Sequence, residues 1–149
     1  MKSHHKQQVI ALLFLAIIVV VAYWFSKRDT LLPHEVIAGE HTISVVLALD
    51  PSARAQGLSG TKELAPDHGM LFIFPYAGKY PFWMKDMNYP IDIVWMDSHG
   101  RVITVAPNLS PESYPQQFAP IAPARYVLEI SAGTAMADGI TEGTVLEFK

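Results

Sequence analysis

The run Pro90-Ile-Asp-Ile-Val-Trp-Met96 is uncharged except for one carboxylate, Asp92. A carboxylate taken out of water costs several kcal/mol unless it is paired or hydrogen-bonded. The fold therefore has to bring a partner to it. Alternation puts Ile91, Ile93 and Trp95 on one face of the strand and Asp92, Val94 and Met96 on the other. The preceding segment, Tyr80 to Met84, is expected to be a neighbouring strand joined through Asn88-Tyr89-Pro90.

Strand and turn signals continue on both sides of this stretch. Thr42 to Leu49 alternates, with Ile43, Val45, Leu47 and Leu49 inward. Asp50-Pro51 then supplies an N-cap and a first-turn proline, and Gly57 a stop. The short helix between them carries Arg54 and Gln56 and is expected to be a lid on a sheet, not a crossover. Met70 to Phe74 reads as a strand buried on both sides, and Arg101 to Ala106 as the hairpin partner of Ile91 to Met96 across Asp97-Ser98-His99-Gly100. Pro107 to Pro123 holds five of the eleven prolines and is expected to be a stiff extended loop without a strand. Tyr126 to Ile130 is a further strand, Thr134 to Asp138 a helical turn, and Thr144 to Phe148 a closing strand. Residues 36–149 are thus expected to form an all-β sandwich or barrel-like domain with one or two short helices.

The N-terminus is of another kind. After a short tail, residues 1–8, the seventeen residues Val9 to Phe25 carry no charge and end in Tyr23-Trp24-Phe25, followed by Lys27 and Arg28. That length is at the short end of a transmembrane helix, and the aromatics fall where an interfacial belt would. A cleaved signal would have a shorter apolar core ending at small residues. We therefore expect a single transmembrane helix over residues 9–25, a tether over 26–35, and the folded domain on the extracytoplasmic side of the cell membrane. Lys2 and Lys6 nearly balance Lys27 and Arg28, so the flanking charges add little to that orientation.

Charge and cysteine narrow the function classes. Residues 31–149 hold seven Lys/Arg against thirteen Asp/Glu, a net charge of −6, whereas nucleic-acid binding calls for a basic surface. With no cysteine, disulfides, thiolate chemistry and Cys-based zinc are excluded. The histidines are scattered in turns without metal spacing, so no metal site is expected, and no cofactor can be inferred. Met70, Met84, Met87 and Met96 are best read as gap-fillers of a core.

Four blocks fall in order along the chain: Arg54-Ala-Gln-Gly-Leu58, Gly69-Met-Leu-Phe-Ile-Phe74, Phe82-Trp-Met84 with Ile91-Asp-Ile-Val94, and Ala124-Arg-Tyr-Val-Leu-Glu129 with Gly133. In this combination the chain resembles the uncharacterised family called domain of unknown function 192, over almost all of residues 36–149. The resemblance implies a compact β-sandwich of bacteria and archaea, often behind a signal or an anchor, with no established activity. Ser59 stands where the family often has Met, and Met87 where it often has Thr.

Two groups of residues are candidates for function. The first is a polar cluster of Asp92, Glu129 and Arg54 with Lys85 or Asp86, beside Trp83. Two carboxylates in apolar strands with Arg as bidentate partner make a structural ion pair holding helix to sheet, the reading we prefer. The alternatives are a pocket for a small polar ligand, and a carboxylate pair for a hydrolase or lyase. The second group is Tyr114, Gln116, Gln117 and Phe118, presented by the proline-rich loop to a protein partner such as a membrane complex. The function expected is a membrane-anchored binding or accessory domain without catalysis.

The anchor makes a direct prediction. Mass spectrometry of the protein extracted from membranes should recover residues 9–25 as part of the mature chain, and an N-terminus between Ala22 and Ala38 would refute it.

Overall fold

The computed structural model describes residues 14–20, 22 and 32–149. Residues 14–20 and 22 are helical; the rest of the predicted anchor, the 1–8 tail and most of the tether lie outside the described residues. Among those described, no helix is long and apolar enough to cross a membrane.

From His34 to Lys149 the chain forms one unit around a seven-stranded sheet. Its strands are β1 (Glu35–Ala38), β2 (His41–Ala48), β3 (His68–Gly78), β5 (Ile91–Met96), β6 (Val102–Leu109), β8 (Ala124–Ser131) and β9 (Glu147–Phe148), in the order β6-β5-β8-β3-β2-β1-β9. A separate ribbon pairs β4 (Phe82–Trp83) with β7 (Gln117–Phe118). Every pairing is antiparallel except that of β2 with β3.

The sheet curls until its C-terminal segment reaches both rims. Phe148 pairs with Val36 of β1, while Val145 bridges Arg101 and the Leu146 N–H donates to the Gly100 carbonyl at 2.9 Å. At that crossing Gly100 has φ +75°, and a Cβ would stand 2.3 Å from the Leu146 oxygen, so only glycine fits. The result is a half-barrel tied across its open side by a strap. The barrel-like expectation holds, and the sandwich does not, because the second layer is not a sheet.

Two cores lie on the two faces of this sheet. Inside the curl, Val36, Ile43, Val45, Leu71, Val94, Met96, Leu128, Ile130 and Leu146 pack together. On the outer face, Phe72, Phe74, Ile91, Ile93, Trp95 and Val127 form a second cluster with Leu58 and Met84. Met84 and Met96 thus fill different cores. All six residues of β5 are buried, with the alternation expected of them.

Several local expectations are corrected. The Pro51–Gln56 helix lies within the crossover between the parallel strands β2 and β3, a connection that cannot be a simple turn. Asp50 caps it by accepting from the Ala53 N–H at 2.9 Å. The segment before β5 is not its partner strand; only Phe82–Trp83 is extended, and it pairs with Gln117–Phe118. The proline-rich segment therefore does contain a strand, and Pro107 itself lies in β6, tolerated because β6 is at the edge of the sheet. Leu49 lies past the end of β2 and is exposed.

Asp92 has no exposed surface, and its partners are backbone groups rather than a cation. One oxygen accepts from the Asn108 N–H at 2.7 Å and the other from the Ala135 N–H at 2.9 Å. Ala135 belongs to the helical turn Thr134–Ala137, whose N-cap Gly133 has no side chain to offer. Asp92 thus joins β5, the end of β6 and the turn after β8. The ion pair with Arg54 is absent. Asp92→Ala would leave the buried Ala135 N–H and the part-buried Asn108 N–H unsatisfied and should cost about 2–5 kcal/mol in urea unfolding. Asp92→Asn, keeping one acceptor, should lose less, and an unchanged midpoint for Asp92→Ala would refute the structural role.

Candidate functional site

The outer face of the sheet is incompletely covered, and the gap is a cleft of about 380 Å³. Its floor is Phe72 and Phe74 of β3 with Glu129 of β8. The crossover supplies one wall through Arg54, Ala55 and Gln56, continued by Leu58 and Ser59. Tyr80, Phe82 and Trp83 make the opposite wall, with Met87 and Gln117 completing the rim.

The aromatics hold one another in place. Phe74 stacks on Tyr80 with centroids 3.6 Å apart, and Phe82 meets Phe72 edge-on at 4.8 Å. Trp83 is 44% exposed and packs against Tyr114 across 5.8 Å. The Tyr80 hydroxyl donates to the Tyr76 carbonyl at 2.8 Å, and the Trp95 Nε1–H donates to the Tyr80 carbonyl at 3.0 Å.

Arg54 lies against this stack, its guanidinium carbon 5.2 Å from the Phe74 centroid. Its Nη1 donates to the Leu49 carbonyl and, at 3.3 Å, to the Ile73 carbonyl. Among the described residues the ion pairs are His41–Asp138 and His99–Asp97, so Arg54 has no carboxylate within 4.0 Å.

Glu129 is the unusual member. It is 4% exposed, and its Oε2 has no hydrogen-bond partner among the described residues. Burial pushes its carboxyl up from 4.5 to about 8, although the Leu58 backbone N–H, donating to it, pulls the other way. Gly57, at φ +54°, closes the helix beside it, and a Cβ there would stand 3.6 Å from Oε2 and 3.4 Å from Phe72. Glycine both adopts this conformation and keeps the space above the carboxyl open.

The predicted polar cluster is therefore divided. Register pairs Glu129 with Ile93 and Asp92 with Ile130, so the two carboxylates face opposite sides of the sheet. They cannot serve as an acid–base pair. Arg54, Trp83 and Glu129 do meet at one cleft. Lys85 and Asp86 are exposed and contribute carbonyls instead: Ser59 Oγ donates to Lys85 O and the Gly60 N–H to Asp86 O, both at 2.7 Å. In the loop, Gln117 lines the cleft, Tyr114 props Trp83, Phe118 packs on the outer core, and Gln116 is exposed. Sequence reasoning did not single out the floor residues Phe72 and Phe74, whereas Tyr80 and Phe82 of the wall belong to the aromatic group of the Tyr80 to Met84 stretch and Gln56 to the short helix; the Gly57 stop was the one signal that the chain turns there.

The blocks that carry the family resemblance, far apart in the chain, converge here. Ser59 and Met87, the two departures from its pattern, both line the cleft.

Comparison with known proteins agrees on the frame. The pattern of the family DUF192, described as Uncharacterized ACR, matches residues 34–148. The crystal structure of a suggested transcription regulator from Sinorhizobium meliloti is similar, with 38% identity and a TM-score of 0.71 over 76% of this chain and 90% of that one. So is a protein of unknown function from Novosphingobium aromaticivorans, with 30% identity and a TM-score of 0.71 over 76% of this chain and 83% of that one. No curated protein matches.

Because the folded protein holds the Glu129 proton more tightly than the unfolded chain does, its stabilising effect is complete below pH 4.5 and lost as pH rises to about 8. Glu129→Gln, neutral at every pH, should lack that decline. Between pH 5 and 8 the parent should lose on the order of 3 kcal/mol that the variant keeps, read by urea unfolding at each pH. Parallel curves would refute the shifted acid.

Proposed function

The chain belongs to the DUF192 family, and from that membership together with the cleft we propose that it is a binding domain for a small, partly apolar molecule. The observation that carries this reading is Glu129: an unsatisfied buried oxygen on the floor of an aromatic-lined cleft is a polar group waiting for a partner. A purely structural role would have supplied that partner from the protein, as the fold does for Asp92. Aromatic walls with a few convergent polar groups suit a ligand with a flat or apolar body and one polar end.

Catalysis is not part of this reading. A hydrolase or lyase would require Asp92 and Glu129 to act on one substrate, and they lie on opposite faces of the sheet. Docking through the proline-rich loop is not a separate reading either, since Gln117 lines the same cleft and Tyr114 packs against its wall residue Trp83. The uncharged run of residues 9–25 supports a domain tethered to the membrane, where it would meet its ligand outside the cytoplasm.

Ala55 offers a clean test because it is exposed, lines the cleft and lies in a helix that tolerates larger residues. Ala55→Phe should fill the mouth and leave the unfolding midpoint within about 0.5 kcal/mol of the parent. A library of small aromatic acids, amides and amines, screened against the full chain in nanodiscs by saturation-transfer NMR, should give hits that this variant loses. Hits that persist in the variant, or no hits, would overturn the reading.

A further inference from the structure

We propose that the ligand of this cleft is a small organic anion, an apolar or aromatic body bearing a carboxylate-type group, met by the Arg54 guanidinium as cation and by the Glu129 carboxylic acid as hydrogen-bond donor. The inference rests on the binding role proposed above and adds the charge and shape of what is bound.

The argument starts from what the cleft offers. Two carbonyls take only the Nη1 of Arg54, and a guanidinium has five donors. Among the described residues no carboxylate lies within 4.0 Å of it to cancel its charge. Arg is charged at every working pH, and its planar fork matches a carboxylate. The Phe74 ring, 5.2 Å from the guanidinium carbon, holds the group over the aromatic floor.

Glu129 then decides the sign of the site. Were it ionised, it would offset Arg54 and the cleft would be neutral, with a preference for zwitterions or cations. Deep burial and an unpartnered oxygen favour its neutral form, in agreement with a carboxyl pushed up to about 8. Among the described residues, the remaining ionisable group lining the cleft is Tyr80, whose hydroxyl is engaged with Tyr76. Outside the cleft lining, Lys85 places its Nζ 6.0 Å from the Trp83 ring, and Asp86 is exposed beside it. β3 and β5 present only apolar side chains toward Glu129: Met70 and Phe72 from the one, Ile93 from the other. The cleft therefore carries a net positive charge at neutral pH. A neutral acid donates as well as accepts, so a ligand carboxylate can receive the Glu129 O–H while Arg54 neutralises it. A ligand cation would instead face Arg54 with nothing to offset it. The aromatic walls and a volume of about 380 Å³ admit a body of one or two rings.

Three probes that share a phenyl ring and differ in charge separate the possibilities: phenylacetate, phenylacetamide and phenethylammonium. They are titrated by saturation-transfer NMR against the full chain in zwitterionic nanodiscs, with empty nanodiscs as control. At pH 6.5 phenylacetate should bind about tenfold more tightly than phenethylammonium, with the amide between them. Above pH 8 its Kd should rise about tenfold per pH unit, because the acid that donates to it is lost. Glu129→Gln, a permanent donor, should keep phenylacetate binding and flatten that profile. Arg54→Gln should abolish the preference for the anion, while Arg54→Lys should keep part of it and exclude misfolding as the cause. A preference for phenethylammonium, equal binding of all three, or an anion preference that survives Arg54→Gln would overturn this inference and leave the small-ligand reading standing. Failure of all three probes to bind would overturn both.

Discussion

A sheet whose central strands are apolar on both faces has to be covered twice, and the architecture of this protein follows from that requirement. β5 shows it most plainly, since none of its six side chains reaches solvent. One face is covered by curling the sheet upon itself and tying the rims with the strap after Gly143. The other face has no second sheet to meet, so a crossover helix, a loop and a two-residue ribbon are assembled over it. A patchwork of short elements cannot interdigitate as closely as a sheet, and the cleft is the place where the cover fails to meet. Hydrophobic burial, which drives the fold, here also produces the concavity.

The two buried carboxylates show how the same cost can have different outcomes. Asp92 and Glu129 lie one step apart in register on adjacent strands, yet on opposite faces. Asp92 is satisfied by two backbone donors, and it fastens to the end of β6 a helical turn that has no side-chain cap of its own. Glu129 receives the Leu58 N–H and otherwise faces apolar neighbours and an opening. A protein that can satisfy one buried acid so fully has the means to satisfy a second. That it leaves Glu129 incomplete is the observation on which the proposed binding role rests.

Much of the frame was legible in the residues. The alternation in Ile91–Met96, the Asp50-Pro51 cap with the Gly57 stop, and the hairpin at Asp97–Gly100 all follow from local physics and appear in the structure. The parallel pairing of β2 and β3 was not legible, because a short helix before a strand looks alike whether it lies on a sheet or connects two strands of it. The pairing of Phe82–Trp83 with Gln117–Phe118 joins segments far apart in sequence, and nothing local encodes such a partner. For the candidate site, Arg54, Trp83 and Glu129, singled out by residue type, come together at one cleft. Residue type could not say which acid shares a face with Arg54, since face depends on register between strands, and Asp92 was grouped with the wrong neighbours for that reason.

The strap has a consequence for how the chain reaches this state. The hairpins β1–β2 and β5–β6 close over short distances and can form as soon as their residues are present. The half-barrel can be tied only when residues 143–149 arrive, because Phe148 must find Val36 and Lys149 must meet His34 and Glu35. Until then the rims of β1 and β6 are bare strand edges, and the apolar interior between them is open to other chains. Residues 143–149 thus govern when the nascent domain stops being sticky, and that vulnerable interval lasts as long as this long-range closure takes to form.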